Sequence, residues 1–168
     1  GGARFDYEKA KWVNHQKITQ TDTQELLEFK SVKENLMDHP TEKHALLVDL
    51  VKERLYTMND LKSELTFIHS PFPYDEKVLE KLKGKDPIRI LSKIKEELER
   101  SPRLSKEDLM AWAKENGVPV GALMQSFRLA LVGKLTGPDL FQICNLLGKD
   151  LSLMRINNLI EFINLKLT

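Results

Sequence analysis

The sequence predicts an all-α fold of two small helical sub-domains, and three observations lead there. Apolar residues recur at helical spacing through most of the chain, as in the stripe Ile88, Leu91, Ile94 and Leu98. No run alternates apolar and polar residues at strand length, and no hairpin dipeptide or βαβ rhythm interrupts the pattern. Helix punctuation is frequent: Asp86-Pro87 and Ser105 with Asp108 read as starts, Gly117, Gly133 and Gly148 as stops. The count this gives is roughly nine helices, with the usual latitude at boundaries.

Taken in order, FDYEKAKWVNHQKI opens with an acid and carries Phe5, Trp12 and Val13, which predicts an amphipathic helix, and TQELLEFKSVKENL predicts a second. The stretch from Glu42 to about His69 predicts the longest helix. SPFPYDE, residues 70–76, has two prolines and no periodicity, so it marks the expected boundary between domains 1–69 and 70–168. Beyond it lie a short helix in DEKVLEKL and one from the Asp86 cap through Arg100 with Pro87 at its first position. Ser105 and Asp108 then form a capping-box-like start for a helix ended by Gly117. Val120–Val132 follows, closed by Gly133; Pro138 opens the next helix as its first residue, and the last runs from about Asp150 to Asn164. Gly1-Gly2 read as an expression remnant, and no repeat at solenoid spacing is present.

Composition narrows the function classes. With 168 residues, 41% hydrophobic and 30% charged, the chain is of ordinary globular type, and no apolar run reaches the length of a membrane span. Lys and Arg total 26 against 25 Asp and Glu, so any attraction to phosphate must be local. The single Cys144 rules out an internal disulfide and every Cys-rich zinc pattern, which suits a reducing cytoplasm.

Catalytic patterns are missing from the sequence: there is no Walker loop, GxGxxG, GxSxG or HExxH. His15, His39, His44 and His69 are scattered, and no third ligand follows His39 and His44 at metal spacing. Cys144, inside FQICNLL, reads as a small core hydrophobe, and Trp12, Trp112, Phe127 and Phe141 read chiefly as core, with base stacking as their other use.

Two arginines resist a bland reading. On a continuous helix, Arg54 falls within about 60° of Leu47, Leu50, Val51, Met58, Leu61 and Leu65, on the apolar stripe. A guanidinium there needs a carboxylate partner, or its tip must leave the stripe toward solvent or a ligand. Arg128 sits among Phe127, Leu129 and Leu131, shortly before the Gly133–Pro138 connection, where its plainer role is a favourable charge at a helix C-terminus.

These stretches resemble the C-terminal half of bacterial glutamyl-tRNA synthetases. RFDYEKAKWVNHQKI is similar to the helix that opens the family's anticodon-binding region. SFRLALVGKLTGPDLFQICNLLGKDLSLMRI is similar to its second hallmark: an arginine-leading helix, a break, a Gly-Pro restart and a Leu-Leu-Gly-Lys close. The likeness runs from Arg4 to Phe162 and is looser over residues 23–115. Val132 stands where the family often has threonine, and Met110 where some members carry a basic residue.

The resemblance implies a stem-contacting domain over 1–69 and an anticodon-binding α-helical cage over 70–168, gripping glutamate tRNA. It implies no DNA or membrane partner, a monomeric parent, and no cofactor in this chain. The parent would use ATP with magnesium in catalytic modules whose HIGH-type and KMSKS-type motifs do not occur here. By position along the motifs, Arg54 matches an arginine at the first anticodon base and Arg128 one at the third, and Gly137, Pro138 and Leu140 fall in the loop and helix start that meet the second and third. A guanidinium fork suits the acceptor edge of an unpaired base. Gly133 and Gly137 allow close backbone approach, and the helix behind Pro138 would offer unpaired N–H donors to base carbonyls or phosphate. Lys134, with Lys83, Lys85, Arg89, Arg100, Arg103 and Lys106, could grip the RNA backbone, the other reading of most of them being solvated surface. The other reading is a helical protein-interaction module in which both arginines merely cap or pair.

Overall fold

A computed structural model describes residues 6–167, so Gly1, Gly2 and Phe5 lie outside the described residues. The described residues form eleven α-helices and three short 3₁₀ turns, with no strand among them. Two compact units divide between Thr66 and Phe67.

In the first unit, α1 (Tyr7–Gln20) begins at Asp6, whose side chain accepts the Lys9 N–H, and α2 (Thr23–Glu28) begins at Asp22, which accepts from Gln24. These short polar caps satisfy donors that have no partner inside the helix. The segment expected as one second helix is two, α2 and α3 (Lys30–Leu36), because Phe29 is extended at φ −67° and ψ 132°. A straight helix would set Leu26 and Val32 about 120° apart, whereas the break lets both, and Leu36, enter one core.

The long helix expected over 42–69 is not formed. Instead a 3₁₀ turn, Thr41–Lys43, leads into α4 (His44–Val51), a second turn over Lys52–Arg54, a loop, and α5 (Asp60–Glu64). The apolar periodicity is real, since Leu47, Val51, Leu61 and Leu65 are all buried. The helix loses to side-chain competition: the Asp60 carboxylate accepts the backbone N–H of both Tyr56 and Thr57, at 3.0 and 2.7 Å, offering them a partner no helix ladder supplies. From α1, Asn14 Nδ2 donates to the Tyr56 carbonyl at 2.6 Å and His15 Nδ1–H to the Leu55 carbonyl at 2.8 Å. Trp12, expected in the core, is 60% exposed on α1.

The second unit contains α6 (Glu76–Leu82), α7 (Pro87–Arg100), α8 (Lys106–Glu115), α9 (Val120–Val132), α10 (Leu140–Leu147) and α11 (Lys149–Leu167). Helices α7, α9 and α11 pack pairwise, with α10 against α9 and α11, and α6 and α8 against α9. Ile90, Leu91, Ile94 and Leu98 of α7 meet a core shared with Leu123, Phe127 and Ala130 of α9 and Ile156, Leu159 and Ile163 of α11. Burying each of the larger side chains contributes about 1.5–3 kcal/mol. Local signals hold at several ends: Asp86 caps α7 in a left-handed conformation, with Pro87 first in the helix, and Ser105 accepts the Asp108 N–H.

Helix α9 lies at the centre of this unit, and its C-terminal end is secured from outside the helix. Phe72 N–H donates to the Val132 carbonyl at 2.7 Å and Asp75 N–H to the Gly133 carbonyl at 3.2 Å, which lays the proline-bearing segment along the helix end. Gly133 has φ +88°, and a Cβ there would overlap the backbone carbonyl of Phe72 outright. The Leu131 carbonyl takes the Arg155 Nη1 donor at 2.6 Å. Arg155, on α11 and only 1% exposed, also donates to the Phe67 carbonyl at 2.7 Å and the Ile68 carbonyl at 2.9 Å. Burial pulls its guanidinium below the ordinary value, yet an arginine stays charged in proteins. Three carbonyl dipoles therefore do the work of a counter-ion.

Replacing Arg155 by Met leaves those three carbonyls without their donor; urea denaturation is expected to show a loss of about 3 kcal/mol or more, and a loss below about 1 kcal/mol contradicts the role assigned to it. Gly133→Ala combines backbone strain with overlap against Phe72, so its loss in the same assay is expected to exceed about 2 kcal/mol. Cys144 is buried, and burial pushes its thiol above the usual value while a contact with Ser152 opposes the shift. Iodoacetamide at mildly alkaline pH should label it only in denaturant, with native protein remaining unmodified over the same interval.

Candidate nucleic-acid interface

Each of the two arginines singled out in the sequence lines an open depression on its own unit. Arg54 ends the 3₁₀ turn after α4 rather than riding a helical stripe, because the chain turns extended at Leu55. Its Nε donates to Glu64 Oε2 at 2.6 Å, and the side chain remains 34% exposed. The ion-pair reading and the free-tip reading are thus both partly realised. Glu64 holds one edge of the guanidinium, while among the described residues the Nη1 and Nη2 groups make no hydrogen bond. Arg54, Lys11, Tyr56, Asp60 and Glu64 line a depression of about 430 Å³.

Arg128 is partly buried on α9, one turn before the helix end. It lines a second depression, of about 320 Å³, with Gly121, Met124, Gln125 and Leu135. Gly137 is extended into the positive-φ region at +155°, and a Cβ at that position would stand 3.0 Å from Arg128 Nη1. The positive φ favours glycine there, and a side chain would also crowd the guanidinium tip, which could shift to relieve it. The two glycines of the connection differ in constraint: Gly133 makes room for the Phe72 backbone, whereas Gly137 is held by its positive φ with the Arg128 tip close by.

The remaining predicted residues are placed unequally. Lys134 Nζ sits 3.8 Å from the centroid of the Phe72 ring, a cation–π contact that orients it beside the docked segment. Pro138 is buried and precedes the cap of α10 instead of opening the helix; Asp139 is the N-cap, its carboxylate accepting the Gln142 N–H at 2.9 Å, a bond that proline cannot supply. That carboxylate occupies one terminal donor and disfavours phosphate at the helix start. The Leu140 side chain is buried, so only its backbone could reach a ligand. Arg128, Lys134, Gly137, Pro138 and Leu140 belong to the second unit and Arg54 to the first.

Several other basic residues are already engaged. Lys83 pairs with Glu80 at 2.6 Å, Arg100 with Glu96 at 2.7 Å, and Arg89 donates to Asn116 while lying 5.6 Å over the Trp112 ring. Their pairing keeps local positive potential modest. Phe127 is buried, Trp112 and Phe141 partly so. Tyr56 and Asp139, which the sequence patterns did not single out, prove to stand beside the predicted residues. Tyr56 carries only the weak signal of an aromatic two positions after Arg54, and Asp139 that of an acid at a helix start. No three His, Cys, Asp or Glu among the described residues come together in a way that could hold a metal ion, and no described helix is long and apolar enough to cross a membrane.

Residues 7–160 match the family described as the anticodon binding domain. The chain is 36% identical over 169 residues to a glutamate–tRNA ligase of Porphyromonas gingivalis, covering 96% of this chain and 33% of that protein. It is likewise 36% identical over 167 residues to the glutamate–tRNA ligase of Flavobacterium johnsoniae, covering 95% and 33%. The crystal structure of a glutamate tRNA ligase from Elizabethkingia meningosepticum, in complex with its amino acid, superposes with a TM-score of 0.83 at 30% identity over 97% of this chain and 34% of that one. The chain spans about a third of the length of these relatives. The matched helices contain both depressions and their arginines. The chain belongs to the anticodon binding domain family and is a homologue of the anticodon-binding region of bacterial glutamate–tRNA ligases.

Proposed function

We propose that this chain holds glutamate tRNA by its anticodon arm, on behalf of a glutamate–tRNA ligase whose ATP- and magnesium-dependent chemistry is carried by other parts of a longer, monomeric parent in a reducing cytoplasm. Under this reading the first unit contacts the stem side of the arm, and the second receives most of the anticodon. The observation that carries it is the placement of Arg54 and Arg128 in open depressions within the residues matched to the family. Unpaired bases expose hydrogen-bonding edges that a planar fork can read. Arg54 would meet the first base with its Nη edge, and Arg128 the third, its tip seated by Gly137. Lys134 would contribute charge, and the backbone from Gly137 through Pro138 to Leu140 would close on the second and third bases.

A second reading has one observation in its favour. Trp12, Phe29, Met37 and Leu46 are large apolar side chains exposed on the first unit, as expected of a surface that binds protein.

Binding to glutamate tRNA across a salt series separates the two. RNA binding is expected to weaken at least about tenfold between roughly 50 and 200 mM salt, because phosphate contacts release counterions. Salt-independent binding, or equal affinity for an unrelated tRNA, contradicts anticodon reading. Arg54→Ala and Arg128→Ala should each reduce discrimination among tRNAs altered at the corresponding anticodon base by about 1–3 kcal/mol, with circular dichroism unchanged. Collapse of the fold in both variants would assign the arginines to stability instead.

A further inference from the structure

The depression around Arg54 has a second feature, an aromatic ring fixed in position and partly exposed. Tyr56 lies two residues after the arginine and is 43% exposed. Its backbone is held at both ends, the N–H by Asp60 at 3.0 Å and the carbonyl by Asn14 at 2.6 Å. Its ring stacks on His15, with centroids 4.9 Å apart and planes inclined by 29°, and Lys11 Nζ lies 4.8 Å from the ring centroid. A solvent-exposed tyrosine rarely needs so many restraints; here they remove most of the freedom that binding would otherwise have to suppress.

Charge narrows what this seat can take. Lys11 and Arg54 are outnumbered by Glu53, Asp60 and Glu64 around the same depression. Phosphate is therefore a poor occupant. A neutral planar group with acceptor atoms on one edge fits the exposed part of the Tyr56 ring, where it would take the place of the Lys11 ammonium, and the unengaged Nη edge of Arg54; the volume of about 430 Å³ falls within the range of about 300–1,000 Å³ usual for small-ligand sites.

We infer that Tyr56 is a stacking platform for one unpaired nucleobase, which it holds by the face while Arg54 reads its edge. The inference rests on the anticodon-binding reading and assigns to that site a residue that supplies affinity without base identity. Stacking on an aromatic side chain tolerates any base, so discrimination stays with the guanidinium. Because the seat carries net negative charge, Tyr56 contributes little to the salt dependence of binding.

The test uses the full chain and a glutamate tRNA carrying 2-aminopurine at the first anticodon position, whose fluorescence is quenched when the base stacks. Wild-type protein and Tyr56→Phe are expected to quench it. Tyr56→Leu should leave it bright and bind about 5- to 100-fold more weakly, with an unchanged salt slope. The inference is overturned if Tyr56→Leu matches wild type in affinity and quenching, or if Tyr56→Phe behaves like Tyr56→Leu, which would place the role in the hydroxyl. Should the leucine variant fail to fold, Tyr56→Gln, equally without a ring, is read in its place with the same expected and overturning outcomes. Wild-type protein that binds the tRNA without quenching sinks the platform only; wild-type protein that does not bind the tRNA at any salt sinks the underlying reading with it.

Discussion

The end of α9 is the constraint on which the second unit depends. Three successive carbonyls, of Leu131, Val132 and Gly133, project from a helix terminus that is largely buried, and none can be satisfied within the helix. Each takes a donor from a distant part of the chain: Arg155 from α11, and the backbone of Phe72 and Asp75 from the segment before α6. An unmet buried carbonyl costs on the order of 1–3 kcal/mol, so this one helix end recruits elements separated by more than half the unit. The same end positions Arg128 and the glycine connection, which links the stability of the unit directly to the geometry of its candidate site.

The first unit solves a related problem by a different device. Around Leu55–Asn59 the chain leaves helical geometry, and its backbone groups are taken up by side chains: Asp60 accepts two N–H groups, and Asn14 and His15 donate to two carbonyls. A loop held in this way keeps its course without a regular ladder. Arg54 enters it already restrained by Glu64, so the open side of its guanidinium faces the depression in a defined orientation. In both units the arginine follows from how the backbone is terminated.

Much of this was legible in the sequence wherever the cause is local. The Asp86 and Ser105 caps and the positive-φ glycines Gly117, Gly133 and Gly148 act within a few residues of themselves, and pattern reading finds them. The failures share a cause. Periodicity from Glu42 to His69 reports burial correctly, yet it is blind to Asp60 reaching back for Tyr56 and Thr57, because a competing side-chain bond leaves no mark on apolar spacing. Arg155 carries no such local mark, because its partners lie 24 to 88 residues away. Pro138 lies two positions before the first residue of α10 because Asp139, a good cap, stands between it and Leu140. The role of Gly137 was open to inference only as a need for close approach; that the approaching group is Arg128 itself requires coordinates.

Under the proposed function, the Asp139 cap also bears on the direction from which a polynucleotide would arrive. A carboxylate at the mouth of α10 faces incoming negative charge with repulsion, while Arg128 on the neighbouring helix offers attraction to electron-rich ring atoms. A strand presenting its sugar–phosphate rail would be turned away there. Under the proposed function, one that splays its bases outward would meet Arg128 without that repulsion.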